Sequence, residues 1–476
     1  MTFGKRNITV KKLIILLAAL TVIVINACAQ DKGGGITPEM LEGFRKAQTG
    51  TQADKALRKV FSNNNIDQLA KNLHNPLADD KDFSNSVPSK GITDQMGSGR
   101  CWLFSGLNVL RAQMIAKYNL GAFQFSQNYC FFYDQLEKSN LFLQSVIDSA
   151  DKPFDDKYVE WLFKNPISDG GQFTGISDIV TKYGLVPAEV MPETTASNYT
   201  NSMAKLVSYK LRQFGLELRE AVANKTKKAD IQKRKTEMLG TVYHMLTMFL
   251  GEPPTQFEWT RTDSAGKKVD TRTYTPLGFY KEYVGQDLKN SYVMLMNDPT
   301  RPYYKTYEID MDRHAYDGEN WTYINLPMDS IKQIAIRSIK DSVMMYYSCD
   351  VGKFLDRKRG YADPANYDYA SLMGTTFGMD KAARISTYDS GSTHAMTLTA
   401  VDLDSNGKAK KWKVENSWGA EWSQQKGYLI MSDTWFREYM FRLVVNKKYV
   451  PAKILKLSEQ EPIMVMPEDP LFAEDK

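Results

Sequence analysis

The 476-residue chain lacks most of the short motifs that mark metal- or nucleotide-dependent enzymes. It contains no HExxH, CxxC, GxxxxGK[ST] or GxSxG pattern, and no GxGxxG after a strand-like run. Its four histidines, His74, His244, His314 and His394, show no spacing typical of metal ligands among themselves. These absences argue against a zinc or nucleotide enzyme, and we expect neither a metal nor an organic cofactor.

Cysteine is also scarce. The four residues are Cys28, Cys101, Cys130 and Cys349, and Cys28 falls in the leader described below. The remaining odd, widely spaced set does not form the disulfide framework of a small secreted domain. The pattern instead leaves a candidate reactive thiol.

The chain has little excess charge outside its N-terminus. The net charge is +5, but residues 1–29 carry four basic residues and no acid, so the remainder is close to +1. A near-neutral body gives little support for nucleic-acid binding, a hypothesis that rests only on the basic run at 225–235, and such a run is typical of a solvated helical face. Charged residues make up 25% and hydrophobic residues 42%, which indicates a globular protein of about three domains, or one large domain with insertions.

No apolar run is long enough to span a bilayer. The longest, residues 13–25, has 13 residues where ~20 are needed, and basic residues precede it. This pattern predicts a secretory signal peptide at 1–29 and export from a bacterial cytoplasm, to the periplasm or as an outer-membrane lipoprotein. Two processing routes remain open: cleavage after Ala29, or lipidation of Cys28 in a lipobox-like sequence, which would anchor the protein.

Hydrophobic spacing predicts several elements. A helix opens near Arg100, and 203–250 is strongly helical. Alternating runs predict a β-hairpin at 257–274 and a second hairpin at 397–414 around an Asn-Gly turn. The 26 residues at 451–476 hold four prolines, so we expect an extended tail without regular structure.

Residues 95–104 (QMGSGRCWLF) contain the strongest chemical pattern. A cysteine at a helix N-terminus has its thiolate stabilised by unpaired N–H groups and the helix dipole, which makes Cys101 a candidate nucleophile. Gly97 and Gly99 are expected to let the chain turn sharply into that helix. The amide of Gln95 and the backbone N–H of Cys101 are candidate donors to an oxyanion.

The arms of the second predicted hairpin supply the other groups that such a nucleophile needs. His394 opens one arm and Asn416 follows the other. A thiol nucleophile requires a histidine to take and return its proton, and a third group to orient the ring. Asn416 is the candidate orienting residue, and Trp418 is placed to shield the His–Asn bond from water.

The order Gln, Cys, His, Asn resembles the papain-like cysteine peptidases, and within them the bleomycin hydrolase / aminopeptidase C branch. Residues 98–102 (SGRCW) match the branch form of the family's CGSCW signature. The interval from Cys101 to His394 is 293 residues, against ~130–150 in papain, so the chain carries the long insertion of the branch. Further branch-like strings lie at 136–140, 169–173, 183–194, 275–284 and 349–353.

The resemblance implies an α+β, papain-like two-lobed fold with a large helical insertion and an extended C-terminal tail in the active site. The implied reaction is peptide hydrolysis from the N-terminal end through a thioester acyl-enzyme, in a homohexamer. Gly170 and Gly171 correspond to the family's substrate-binding strand, and Lys476 would be the tail's end in the cleft. The expected segments are 1–29 signal peptide, 30–90 tether and polar helical arm, 91–200 helical lobe with the nucleophile, 201–335 helical insertion and hairpin, 336–450 β lobe with His and Asn, and 451–476 tail.

The tail departs from the branch, since it ends Glu474-Asp475-Lys476 where the family has small apolar residues. An endopeptidase of the same fold therefore remains an alternative to the aminopeptidase. A catalytically dead binding or scaffold protein is a third hypothesis, and the intact Gln, Cys, His and Asn argue against it.

Overall fold

A computed structural model of the protein describes residues 34–48, 50–75, 80–467, 469 and 471. The predicted signal peptide with Cys28, and Lys476, lie outside the described residues. The chain divides into two compact units, Met1–Leu69 and Ala70–Lys476. In the part of the chain that is described, no helix combines the length and apolarity that crossing a bilayer requires.

The described part of the first unit is helical, as expected for the polar arm. Thr37 and Thr51 accept hydrogen bonds from N–H groups of the first turns, and Thr51 forms a capping box with Asp54. Neither of the first two helices buries a residue. The helices are α1 Pro38–Ala47, α2 Gln52–Asn63 and α3 Ile66–Ala70, the last ending at the boundary.

Several helices of the second unit begin where a side chain accepts from the free N–H groups of the first turn. Ser126, Asp156 and Thr275 are three such caps. The helices are α4 Cys101–Tyr118, α5 Gln127–Asp148, α6 Lys157–Lys164, α7 Phe173–Tyr183, α8 Thr195–Asn198, α9 Asn201–Ala223, α10 Lys228–Leu250, α11 Pro276–Tyr283, α12 Leu288–Ser291, α13 Met328–Lys340, α14 Tyr369–Met373, α15 Lys381–Ser386, α16 Asp433–Tyr439 and α17 Ala452–Leu455. Short 3₁₀ turns lie at Pro364–Asn366, Lys447–Tyr449 and Lys456–Glu459.

Two sheets are present among the described residues. Their strands are β1 Asn85–Ser86, β2 Phe257–Thr262, β3 Lys268–Tyr274, β4 Tyr292–Met296, β5 Lys305–Ile309, β6 Thr322–Asn325, β7 Met345–Cys349, β8 Leu355–Asp356, β9 Tyr361–Ala362, β10 His394–Leu403, β11 Ala409–Glu415, β12 Tyr428–Ser432, β13 Met440–Asn446 and β14 Ile463–Val465. The large sheet has the order β14-β5-β6-β4-β13-β7-β10-β11-β12-β9-β8, with β1 beside β10. β2 and β3 form the separate hairpin.

The second unit holds two large apolar cores. One packs the helices α4, α5, α7, α9 and α10 around residues such as Leu107, Phe131 and Val242. The other packs β7 and β10–β13 against α13 and α16, around Trp412 and Trp435. Helix α4 lies against β10, where the Thr397 Oγ1 donates to the Ser105 carbonyl at 3.1 Å. This places the start of α4 beside the start of β10.

Most of the predicted elements are confirmed. The helix near Arg100 is α4, and the hairpins are β2–β3 and β10–β11. The helical stretch 203–250 is two helices, because the chain turns between Ala223 and Lys228, so the basic run begins in that turn.

The prediction for 451–476 is wrong in part. α17, the 3₁₀ turn Lys456–Glu459 and β14 are regular, and β14 pairs in parallel with β5. The strand lies between Pro462 and Pro467, so its backbone N–H groups are free to pair with the sheet.

Candidate active site

Cys101 begins α4, as the sequence predicts. Its Sγ lies near the Ala395 backbone N–H, which donates to it at 3.5 Å. The preceding residue, Arg100, is fully buried and forms a two-pronged ion pair with Glu193, at 2.8 and 3.2 Å. The guanidinium also stacks near the rings of Phe104 and Phe131. These contacts hold the first turn of the nucleophile helix in a single position.

The glycines before Cys101 have a different role from the expected sharp turn. Neither Gly97 nor Gly99 has a positive φ; the left-handed residue is Met96, at φ 54°. A Cβ on Gly97 would lie 2.8 Å from the Tyr199 ring, and one on Gly99 2.4 Å from the Asp169 carboxylate. The glycines are therefore required for close packing, and the Gly99 N–H donates to Asp169 Oδ2 at 2.6 Å.

His394 and Asn416 meet because β10 and β11 are neighbouring strands. The His394 Nε2 and Asn416 Oδ1 are 2.8 Å apart, and both residues are buried. Asn416 Oδ1 also accepts from the Ser417 N–H at 2.8 Å, which fixes the amide. The Trp418 ring covers the imidazole, with the ring centres 4.8 Å apart. The arrangement fixes the ring of His394 in the wall of the cavity that Cys101 also lines.

Burial disfavours an isolated charge on either reacting group. It raises the pKa of the Cys101 thiol to about 11, partly offset by the N–H of Ala395. It also lowers the pKa of His394 to about 4, against the opposing effect of the hydrogen bond that its Nε2 donates to Asn416 Oδ1. Between these two pKa values both groups are uncharged, so the thiol proton passes to the imidazole as the sulfur attacks a carbonyl.

Gln95 lies in the same cavity as Cys101 and is held at both ends of its amide. Its Oε1 accepts from the Ser417 Oγ at 2.7 Å, and its Nε2 donates to the Ser98 carbonyl at 2.6 Å. One N–H of Nε2 remains for a ligand. Ser417 is a residue that the sequence analysis did not single out; its position between Asn416 and Trp418 was the available signal.

Cys101, Gln95 and His394 line a single cavity of about 990 Å³. Gly170 and Gly171, the predicted substrate-binding residues, line it, and Pro467 and Leu471 of the tail do so as well. Lining residues that sequence reasoning missed are Lys138, Asp312, His314, Tyr388 and Arg442. No group of three potential metal-binding side chains occurs among the described residues.

A Cβ on Gly171 would lie 2.2 Å from His314 and 2.8 Å from Trp102. The missing side chain at Gly171 therefore makes room for His314 and Trp102, whereas the sequence led us to expect room for a peptide.

Comparisons with known proteins agree with this geometry. A family model described as the Peptidase C1-like family matches residues 35–472. Aminopeptidase C of Lactobacillus delbrueckii subsp. lactis is 37% identical over 443 residues, covering 92% of this chain and 98% of its own length. Bleomycin hydrolase of Homo sapiens is 38% identical over 403 residues, covering 82% and 88%.

A solved structure also matches the fold of this chain. The crystal structure of PepW from Lactobacillus rhamnosis HN001 superposes with a TM-score of 0.89 at 38% identity, covering 92% of this chain and 99% of that one. The predicted α+β papain-like fold and the predicted branch are thereby confirmed.

Proposed function

The chain belongs to the Peptidase C1-like family, and we propose that it acts as a cysteine aminopeptidase that releases residues from the N-terminal end of peptides. The observation that carries the proposal is the meeting, in one cavity, of a cysteine at a helix N-terminus with a histidine that is hydrogen-bonded to an asparagine. The relatives named aminopeptidase C and bleomycin hydrolase support the same activity.

The reaction needs only groups of this chain. His394 takes the proton of the Cys101 thiol as the sulfur attacks the scissile carbonyl, and Asn416 keeps the ring in place. The oxyanion accepts from the Cys101 backbone N–H and the remaining N–H of Gln95. His394 then returns the proton to the leaving amine, and water hydrolyses the thioester with the same histidine as base.

We further propose that the tail restricts cleavage to the N-terminal end. β14 joins the sheet through β5, and Asp469 forms an ion pair with Arg301. Leu471 is 2% exposed and lies in the cavity lining. A chain end held in the cleft blocks longer peptides, and a carboxylate there attracts a substrate ammonium.

Lys476 would weaken that attraction, because its charge repels an ammonium. We propose that the enzyme or a host peptidase trims Lys476, leaving an acidic end. Intact-mass analysis should then show loss of one or a few C-terminal residues, and the full tail in Cys101→Ala if the trimming is autocatalytic. A full-length tail in an active wild-type protein would contradict this.

The decisive experiment for the activity compares one peptide with a free and an acetylated N-terminus, with products identified by mass spectrometry. We expect stepwise release of N-terminal residues from the free peptide only, and none with Cys101→Ala. Deleting 467–476 should admit the acetylated peptide. Internal cleavage of both peptides by the wild type would favour the endopeptidase alternative, and a folded but inactive wild type would favour the scaffold.

Export and assembly are further proposals. The basic residues and apolar run at 1–29 support secretion, and the lipobox-like sequence at Cys28 supports a lipid anchor in place of simple cleavage. Fractionation and N-terminal mass analysis of the mature protein distinguish these routes. The resemblance to the branch supports a homohexamer, which mass measurement in solution tests.

A further inference from the structure

Beside the cleft segment 168–172, two buried polar residues and the partly buried Lys138 form a hydrogen-bonded chain that the catalytic mechanism does not use. Asp134 of α5 is fully buried. Its Oδ1 lies 2.5 Å from the His314 Nδ1, and its Oδ2 lies 3.1 Å from the Lys138 Nζ. Although burial acts to raise it, Lys138 and His314 hold the pKa of Asp134 below its ordinary value. The Nδ1 of His314 faces the Asp134 carboxylate and donates to it, because the Nε2 on the other side of the ring accepts from the Gln172 N–H.

Both ends of this chain contact the same backbone segment. The Lys138 Nζ donates to the carbonyls of Ser168 and Gly170, at 3.0 and 2.6 Å. At the other end, the Gln172 N–H donates to the His314 Nε2 at 3.4 Å. The backbone groups on either side of Gly171 are therefore held by side chains, and the segment and both of these side chains line the cavity.

The same segment is tied to the nucleophile helix. The Trp102 Nε1 donates to the Asp169 carbonyl at 2.8 Å, and the Trp102 and His314 rings meet edge to face at 4.7 Å. The His314 ring occupies a slot that a Cβ at either Gly171 or Gly175 would close, at 2.2 and 2.3 Å. Few side chains of another shape would fit there.

We propose that Lys138, Asp134 and His314 form a positioning unit that fixes the backbone of 168–172 in the conformation that binds peptide. The proposal rests on the proposed peptidase function. None of the three side chains is required to transfer a proton to the reacting atoms. Their loss should therefore weaken peptide binding and leave the chemical step close to its normal rate.

The test replaces Lys138 with methionine, which keeps the stem and removes the donor. The full-length Lys138→Met enzyme should show a KM for an unblocked tripeptide amide raised about tenfold, with kcat changed less than about threefold. Lys182→Met is the matched control. Lys182 of α7 pairs with Glu137, the neighbour of Lys138 on α5, and with Asp317, and it makes no contact with 168–172 among those described. The control should leave both constants unchanged.

Binding is measured separately from turnover. In a Cys101→Ala background, calorimetry should give a Kd for the same peptide that is about tenfold weaker with Lys138→Met and unchanged with Lys182→Met. An unchanged Kd and KM in Lys138→Met would overturn the positioning unit, whereas a wild type that hydrolyses no peptide would overturn the proposed function instead.

His314 variants cover the case in which Lys138→Met does not fold. His314→Gln keeps a side-chain acceptor near the Nε2 position, and His314→Asn keeps only a donor toward Asp134. We expect KM to rise more in His314→Asn than in His314→Gln, with similar kcat. Equal KM values at the wild-type level in both variants would refute the proposal.

Discussion

Removing the amide of Gln95 tests the oxyanion site directly. Gln95→Met keeps the length of the side chain and removes both N–H groups and the carbonyl. Loss of one oxyanion donor typically lowers kcat by ~10²–10³, or roughly 3–4 kcal/mol of transition-state stabilisation. KM should change little, because the substrate carbonyl gains the bond mainly as it becomes an oxyanion.

Ser417→Ala supplies the graded comparison. It removes the donor to Gln95 Oε1 and leaves that oxygen buried, which should lower the free energy of unfolding by about 1–3 kcal/mol. The amide keeps its second anchor, because Nε2 still donates to the Ser98 carbonyl at 2.6 Å. If the Gln95 amide flipped, its Oε1 would lie against the Ser98 carbonyl oxygen, and this repulsion keeps the amide in its present orientation. We therefore expect kcat to fall less than about tenfold.

The assay is the rate of acyl-enzyme formation at saturating peptide amide, measured in rapid-quench experiments, with thermal unfolding to show that each variant is folded. The reasoning is refuted if Gln95→Met stays within tenfold of the wild-type rate. It is also refuted if Ser417→Ala is as slow as Gln95→Met, since the hydroxyl would then act on the reaction itself.

Three further predictions concern the nucleophile and its base. Iodoacetamide should label Cys101 ahead of Cys130 and Cys349, because burial raises the pKa of all three thiols but only Cys101 lies partly exposed in the cleft; equal labelling would count against the nucleophile. Asn416→Ala should lower kcat less than His394→Ala, because Asn416 orients the ring and His394 carries the proton. Equal losses of kcat at equal stability would show that Asn416 does more than orient the ring. The activity should be lost as pH falls through about 4, because burial lowers the pKa of His394 and the base disappears only when the ring is protonated. An acid limb of kcat/KM near pH 6 or above would contradict that.

The residues nearest the chemistry could be predicted from the sequence because their neighbours along the chain create their environment. Cys101 starts a helix whose apolar spacing is visible in the sequence, and His394 starts one arm of a hairpin that an Asn-Gly turn makes recognisable. Periodicity also identified α9 and α10, although it did not show the break between them. The proline-rich tail was predicted less well, because β14 is stabilised by pairing with β5, which lies about 150 residues earlier in the chain.

By itself, then, the sequence determined the types of the reacting residues, their order, and the helix and hairpin that carry them, because these depend on contacts between close neighbours. Only the tertiary structure decided what surrounds them. Met96, not the glycines, takes the left-handed turn, and Gly171 leaves room for His314 and Trp102. The hydrogen-bonded connection from Lys138 through Asp134 to His314 joins residues that are 176 positions apart. A contact over that separation produces no periodic pattern in the sequence. Asp134 and Lys138 already meet one turn apart on α5, and His314 reaches them only through the packing of the tertiary fold.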